Sequence, residues 1–207
     1  MSSSVTRLAA LLAALVVLVA NHDAFAACDP ENALYEDDFE FLDVSWGRAD
    51  DSILVDDGAL VIRGSGGVVN LETKTKAAAV CVDVSIEKAE KASDSPAGVV
   101  FWWEDWQNYY AVFVWSDGWL EVRRMKDGQS KTLFTQETDA LKTGAGAVNN
   151  IELALQPKDA TLLVNGTEVR RFKAKRPEDG GAVGLYGISP DDAPATFSFD
   201  NLIVNER

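Results

Sequence analysis

The sequence contains very little histidine and cysteine, the residues on which many catalytic and metal sites depend. Its one histidine is His22, and its two cysteines are Cys28 and Cys81. We expect His22 to be lost with an N-terminal leader, so the remaining chain has no imidazole to act as general base or metal ligand. Histidine-dependent triads, Cys-His dyads and histidine-based zinc sites are thereby excluded, and any catalysis is limited to carboxylates, tyrosine or lysine.

Long apolar runs are also lacking beyond the first 26 residues. Arg7 precedes an apolar run over residues 8–20, and the small residues Ala24 and Ala26 follow after a polar stretch. This pattern is typical of a signal peptide, and the run is too short for a membrane-spanning helix. We predict a leader over residues 1–26, cleavage after Ala26, and a secreted or periplasmic protein without a transmembrane segment.

Positive charge is scarce: 19 Lys and Arg stand against 33 Asp and Glu, which gives a net charge of −14. The leader contains one basic residue, Arg7, and one acidic residue, Asp23, so its removal leaves this balance unchanged. Nucleic acid and anionic membranes are poor partners for such a surface. The length of residues 27–207 predicts a single domain with a sizeable core.

Two cysteines in an oxidising compartment usually form a disulfide, so we predict a Cys28–Cys81 bridge. Closing this loop should stabilise the fold by about 4 kcal/mol. One alternative is lipidation, because residues 25–28 loosely resemble a lipobox with Cys28 as the acylated residue. Another alternative is that both thiols remain free.

Helical periodicity is absent from the predicted mature chain, and period-two alternation takes its place. Segments such as 80–86, 151–155 and 197–203 alternate between apolar and polar residues, which predicts half-buried strands. Many short strands with regular turns predict an all-β, antiparallel two-sheet sandwich or jelly roll. The predicted two-residue hairpin turns are Asp57-Gly58, Asp117-Gly118, Asp127-Gly128 and Asn165-Gly166.

Five of the six tryptophans crowd into residues 101–119. A two-residue turn at Asp117-Gly118 and a loop over residues 104–108 fix the register of two hairpins there, and paired residues share a face. The predicted core face carries Val99, Phe101, Trp103, Tyr109, Ala111, Phe113, Trp115, Leu120 and Val122. The predicted outer face carries Trp102, Tyr110, Val112, Val114, Trp119, Glu121 and Arg123, with Trp106 at the loop tip.

Flat aromatic rings beside a carboxylate and a guanidinium are typical of a surface that stacks on sugars and hydrogen-bonds their hydroxyls. The predicted ligand-binding residues are Trp102, Trp106, Tyr110, Trp119, Glu121 and Arg123. The alternative is that a loop covers these rings, which then belong to a second small core. A slip of one residue in the register would exchange the two faces.

Three parts of the chain resemble the concanavalin A-like lectin/glucanase superfamily, in particular laminin-G-like jelly rolls and bacterial 3-keto-disaccharide hydrolase-like domains. These parts are Tyr35-Glu36-Asp37-Asp38-Phe39 with Trp46-Gly47, Gly98-Val99-Val100-Phe101-Trp102 with Asn108-Tyr109-Tyr110, and Val164-Asn165-Gly166-Thr167 with Gly184-Leu185-Tyr186 and Phe199-Asp200-Asn201. The resemblance implies a two-sheet jelly roll with adjacent first and last strands, and a face on which relatives bind or cleave glycans.

Two carboxylate arrangements raise the question of catalysis. Glu36, Asp38 and Glu40 match the Glu-x-Asp-x-Glu spacing of the glucanase branch, although Asp37 stands where that family has an apolar residue. Glu121 beside Arg123 is the other candidate, but an isolated surface carboxylate next to an arginine is usually an ion pair. We therefore predict no catalytic residue.

Asp38 and Asp200 should meet if the first and last strands are neighbours, which makes them candidate ligands for a structural calcium ion. The alternative is solvated edge charge. No other cofactor is expected. Asn165-Gly166-Thr167 is formally a glycosylation sequon, but the turn chemistry explains it.

The leading functional hypothesis is a secreted, non-catalytic glycan-binding domain whose partner is an oligo- or polysaccharide. The alternatives are a carboxylate-dependent hydrolase of the 3-keto-disaccharide type and a structural or protein-binding envelope domain.

Overall fold

The computed structural model describes residues 28–207. The predicted leader and its cleavage after Ala26 lie outside the described residues. Within the described part, no helix is long and apolar enough to cross a membrane.

Fourteen strands and three single-turn 3-10 helices make up the regular structure of residues 28–207. The strands are β1 (Tyr35–Asp37), β2 (Ile53–Asp56), β3 (Ala59–Arg63), β4 (Gly66–Thr75), β5 (Ala78–Lys88), β6 (Ala97–Asp105), β7 (Asn108–Val114), β8 (Trp119–Lys126), β9 (Gln129–Glu137), β10 (Asn149–Gln156), β11 (Asp159–Val164), β12 (Thr167–Lys173), β13 (Gly181–Gly187) and β14 (Thr196–Glu206). The 3-10 helices are Pro30–Asn32, Val44–Trp46 and Ala92–Asp94.

The strands form two antiparallel sheets, which confirms the predicted jelly-roll sandwich. The larger sheet has eight strands in the order β12-β11-β10-β5-β14-β3-β2, with β1 also paired to β14. The smaller sheet has six strands in the order β4-β13-β6-β7-β8-β9. The first and last strands are neighbours, as the resemblance implies, because Tyr35 pairs with Val204.

The core lies between the two sheets and is built by alternation along each strand. On β5, Val80, Val82, Val84 and Ile86 point into it. Cys81 therefore faces outward, where the N-terminal segment reaches it. The structure contains the predicted Cys28–Cys81 disulfide, with Cα atoms 6.0 Å apart. The lipidated and free-thiol alternatives are incompatible with this bridge.

Three of the four predicted hairpin turns are confirmed. The pairs Asp56–Ala59, Lys126–Gln129 and Val164–Thr167 close around two residues. Both central residues of each turn have positive φ, near 50° for Asp or Asn and near 73° for Gly. The side chain of Asn165 donates to Ala140 O and Asn149 Oδ1, in agreement with a structural role for this turn residue.

The fourth turn, at Asp117-Gly118, differs from the prediction. Trp115 N donates to Trp119 O at 2.9 Å, so the loop contains three residues, with Ser116 as the additional one. Gly118 has φ +98° whereas Asp117 is not among the residues with positive φ, as in a type I turn followed by a left-handed glycine. This extra residue changes the register of β7 against β8.

The other end of β7 also differs from the prediction. The β6–β7 hairpin closes at Asp105–Asn108, and an irregularity between Phe101 and Asp105 interrupts the pairing. Trp102 lies in this bulge with φ +48°. The backbone of Trp102 passes so close to Gly181 that a Cβ there would collide with it, which holds the bulge in place.

Candidate functional site

The two loop differences invert β7, and the predicted faces of its residues are wrong. Tyr110, Val112 and Val114 point into the core instead of outward. Trp102 also lies in the core, because the bulge turns it inward beside Phe101. The residues predicted for the core that lie on the outer face are Trp103, Tyr109, Ala111, Phe113 and Trp115.

The faces of the flanking strands agree with the prediction. Leu120 and Val122 of β8 are fully buried. Val99 and Phe101 of β6 are also buried, with at most 2% of their surface exposed. Glu121 and Arg123 of β8 share the outer face with Phe113 and Ala111, their neighbours on β7. Trp119 lies on the same face.

Trp102 and Tyr110 have no place on an exposed stacking surface. Trp102 is 1% exposed and Tyr110 is 6% exposed. The Tyr110 ring stacks on Phe101 at 5.5 Å between centroids and meets the edge of Trp102 at 5.9 Å. The tight packing of these three rings closes one end of the sandwich core.

A second set of aromatic rings forms a layer on the outer face of the smaller sheet. Trp106 is its centre, with ring centroids 5.6 Å from Tyr186, 5.7 Å from Tyr109 and 5.9 Å from Trp103. Phe113 lies beneath, 6.2 Å from Tyr186. We call Trp103, Trp106, Tyr109, Phe113 and Tyr186 the outer aromatic cluster.

Glycines in the strands make room for this cluster. Tyr186 on β13 lies between Gly67 on β4 and Gly98 on β6, its partners on either side. A Cβ on Gly67 would collide with the Tyr186 ring, and one on Gly98 would lie 2.6 Å from the Phe113 ring. Glycine inside a strand marks such a close approach, and these glycines were the available sequence indication for Tyr186, which was not predicted as a site residue.

Charged and polar groups flank the cluster on β8 and β9. The Arg123 guanidinium lies 4.8 Å from the centroid of the Phe113 ring. Arg123 Nε donates to Glu121 Oε1 at 2.7 Å, and Thr132 Oγ1 donates to the same oxygen at 3.2 Å. The side chains of Glu121 and Arg123 are 12% and 27% exposed, so the ion pair is partly sheltered from water.

Tyr109 links the rings to these polar groups. Burial raises the pKa of its phenol, the neighbouring Tyr186 adds to the rise, and Arg123 opposes it. The hydroxyl is therefore protonated at neutral pH and can both donate and accept a hydrogen bond.

Trp106 and Trp119 do not form one continuous platform. Trp106 contacts the ring of Tyr109 at the start of β7. Trp119, in contrast, accepts a backbone hydrogen bond from Trp115, which lies just beyond the other end of β7. Tyr109 and Trp115 are six positions apart along the extended chain, which corresponds to roughly 20 Å. Both tryptophans are 43% exposed, but Trp119 lacks aromatic neighbours among the ring contacts of the described residues.

The Glu36, Asp38 and Glu40 trio does not lie on one strand. β1 ends at Asp37, and Phe39 has φ +49°, so the alternation needed to aim three carboxylates at one cleft is broken. Asp37 itself is structural: it accepts hydrogen bonds from Trp46 Nε1 at 2.7 Å and Phe39 N at 2.8 Å. The trio lacks the geometry of a glycosidase pair.

Asp200 lies in an acidic neighbourhood that includes Asp38. Burial raises its pKa, and Asp83, Asp38 and Asp37 add to the rise while a hydrogen bond from Asn201 N opposes it. Among the described residues, no group of three or more His, Cys, Asp or Glu side chains is arranged to hold a metal ion. The calcium prediction rests on Asp38 and Asp200 alone and stays a prediction.

No protein-family model and no curated protein matches the sequence. Solved structures do match. The carbohydrate-binding module CBM66 from Bacillus subtilis is 12% identical, with a TM-score of 0.58 over 70% of this chain and 86% of that one. The β-glucanase from Bacillus licheniformis is 10% identical, with a TM-score of 0.64 over 84% and 98%.

A GH43 protein from Bacillus licheniformis is 18% identical, with a TM-score of 0.61 over 86% of this chain. The match spans 39% of that longer protein. At these identities the likeness concerns the fold alone. The chain therefore shares the two-sheet jelly-roll fold of these solved structures.

Proposed function

We propose that this protein is a secreted, non-catalytic glycan-binding domain whose sugar site is the outer aromatic cluster. The observation that carries the proposal is the set of rings around Trp106, which lies 43% exposed above a supporting layer of aromatic side chains. A fixed, partly exposed ring beside hydrogen-bonding groups suits the apolar face and the hydroxyls of a sugar. Tyr109 and the Glu121–Arg123 pair supply those groups.

The carboxylate chemistry supports binding over catalysis. Most glycosidases need two carboxyl groups about 5 to 9.5 Å apart, one of which donates a proton. Glu121 is the carboxylate next to the cluster, and it is held by Arg123 and Thr132. A carboxylate that is already engaged by a guanidinium and a hydroxyl is typical of a structural ion pair.

A glycan array probed with the mature domain, followed by titration of any hit, tests this proposal. Trp106→Ala should weaken binding about fivefold, because stacking on one ring contributes on the order of 1 kcal/mol. Trp119→Ala is the matched control, since it removes an equally exposed tryptophan from the far end of the same sheet face. Its affinity and melting temperature should equal those of the wild type.

Three results would contradict the proposal. Equal affinity loss in both variants would place the site elsewhere, and the absence of any glycan hit would favour a protein-binding role for the cluster. Product analysis of each hit decides the question of catalysis: new reducing ends that disappear in Glu121→Gln would favour the hydrolase alternative.

A further inference from the structure

A cavity of about 780 Å³ opens at one end of the sandwich, between the two sheets. Trp102 and Tyr110 of the smaller sheet form one side of it. The β10–β11 turn, with Pro157 and Lys158, and the segment after β12, residues 175–178, form the other side. Its volume is within the usual range for small-molecule sites.

The walls of this cavity are positively charged although the chain carries a net charge of −14. Two carboxylates, Glu104 and Glu178, also line it. Lys173 lies in an adjoining hollow of about 350 Å³. The cations on the wall are Arg124, Lys126, Lys158, Lys175 and Arg176, and we call this space the cationic cavity.

These cations are not used in ion pairs within the described part of the chain. The ion pairs there involve other cations, such as Arg63, Arg123 and Arg171. Five cations against the carboxylates of Glu104 and Glu178 leave this wall with an excess of positive charge, which attracts an anion.

Two hydrogen-bond donors of the wall are buried without a partner in residues 28–207. They are Trp102 Nε1, on a residue that is 1% exposed, and Arg176 Nη1. A buried donor left unpaired is destabilising. Tyr110, in contrast, is satisfied, since its hydroxyl accepts from Lys175 N at 3.2 Å and fixes the segment that carries the cations.

Apart from Asn108, the rest of the wall is largely apolar. Tyr109, Met125, Pro157 and Pro177 offer flat or hydrophobic surface. Tyr109 also belongs to the outer aromatic cluster, so the cavity and the proposed sugar site adjoin each other. This mixture suits a ring compound that carries a negative charge better than it suits a bare inorganic ion.

From these observations we infer that the cationic cavity binds the carboxylate or sulfate group of an acidic saccharide. Arg124, Lys158 and Arg176 pair with the oxyanion. The saccharide part of this inference rests on the proposed function. A long polyanion such as nucleic acid would meet the acidic remainder of the surface, whereas a short acidic oligosaccharide would not.

The test compares three oligosaccharides of equal length by isothermal titration calorimetry: an oligogalacturonate, a sulfated oligosaccharide and a neutral one. At least one acidic ligand should bind tenfold or more tightly than the neutral ligand, and this preference should shrink with added salt. Lys158→Gln/Arg176→Gln should abolish the preference. Arg48→Gln/Lys76→Gln is the matched control, because it removes the same charge from two exposed cations outside the cavity and should retain the preference.

Equal binding of acidic and neutral ligands, or an unchanged preference in Lys158→Gln/Arg176→Gln, overturns the inference. Binding of the wild type to anionic lipid vesicles but to none of the oligosaccharides overturns it too, in favour of a membrane. Trp106→Ala separates the two proposals. If acidic ligands bind in a cavity-dependent manner and Trp106→Ala has no effect, the outer aromatic cluster fails as the sugar site while the cavity stands.

Discussion

The smaller sheet carries aromatic rings on both faces, and the two sets differ in what surrounds them. The inner rings, with Trp102 at 1% exposure, are enclosed by the opposite sheet. The outer rings have no covering sheet and instead rest on strand glycines, with Trp106 at 43% exposure. Aromatic composition alone therefore does not reveal function; the substructure beneath each ring distinguishes a core from a candidate binding surface.

The largest expected difference between the two faces is in stability. Trp102→Ala should lower the free energy of unfolding by roughly 3–5 kcal/mol, because it empties a large volume in the core. Trp103→Ala, on the partly buried outer face, should cost less than half as much. Urea denaturation of both variants measures this, and a larger loss for Trp103→Ala would reverse our assignment of the faces.

The glycines beneath the outer rings give the next test. Gly98→Ala adds a methyl group 2.6 Å from the Phe113 ring, so we expect a loss of about 1–3 kcal/mol from overpacking. It should also displace Tyr186 and weaken glycan binding. Gly66→Ala is the control, since its nearest neighbour would be 3.9 Å away, and its stability should stay within about 0.5 kcal/mol of the wild type.

Two hairpin loops of different length provide a smaller effect. Asp127 has φ +50° whereas Asp117 has no positive φ. Alanine tolerates the left-handed region poorly, so Asp127→Ala should cost about 1 kcal/mol. Asp117→Ala should cost under about 0.5 kcal/mol. Thermal unfolding of the two variants tests this difference, and equal losses would be inconsistent with a three-residue loop at Asp117.

The smallest effect concerns pH. Because the pKa of Tyr109 is raised above its usual value of 10.0, the folded state holds this proton more tightly than the unfolded state. The stability contribution of the phenol is complete below pH 10 and is lost as the pH rises through the folded-state pKa. Denaturation at pH 8 and pH 11 should show a steeper loss in wild type than in Tyr109→Phe; parallel losses would contradict it.

The sequence was sufficient for the fold, the disulfide and three of the four turns, because alternation, cysteine parity and Asp-Gly or Asn-Gly pairs act locally. It was insufficient for β7. Both faces of that strand are apolar, so alternation could not show that Tyr109 faces outward and Tyr110 inward. The bulge at Trp102 depends on the approach of Gly181, a contact far away in the sequence.

The site was therefore predicted only in part. Glu121, Arg123 and Trp119 were placed on the correct face, since they alternate with the buried residues Leu120 and Val122. Asp117-Gly118 fits either a two-residue or a three-residue loop, and only the backbone angle of Asp117 distinguishes them. The cationic cavity could not be predicted, because its cations come from separate loops that the fold brings together.

The disulfide also determines how the domain is oriented relative to a surface or fusion partner that is joined to its N-terminal side. Cys28 is bound to Cys81 on the outer face of the larger sheet, and Asp29 N is held by Asn205 Oδ1 at 2.9 Å. The outer aromatic cluster lies on the opposite layer of the sandwich. A surface or fusion partner joined just before Cys28 would thus adjoin the larger sheet and leave the cluster presented to the surrounding medium, whereas reduction of the bridge would release that orientation.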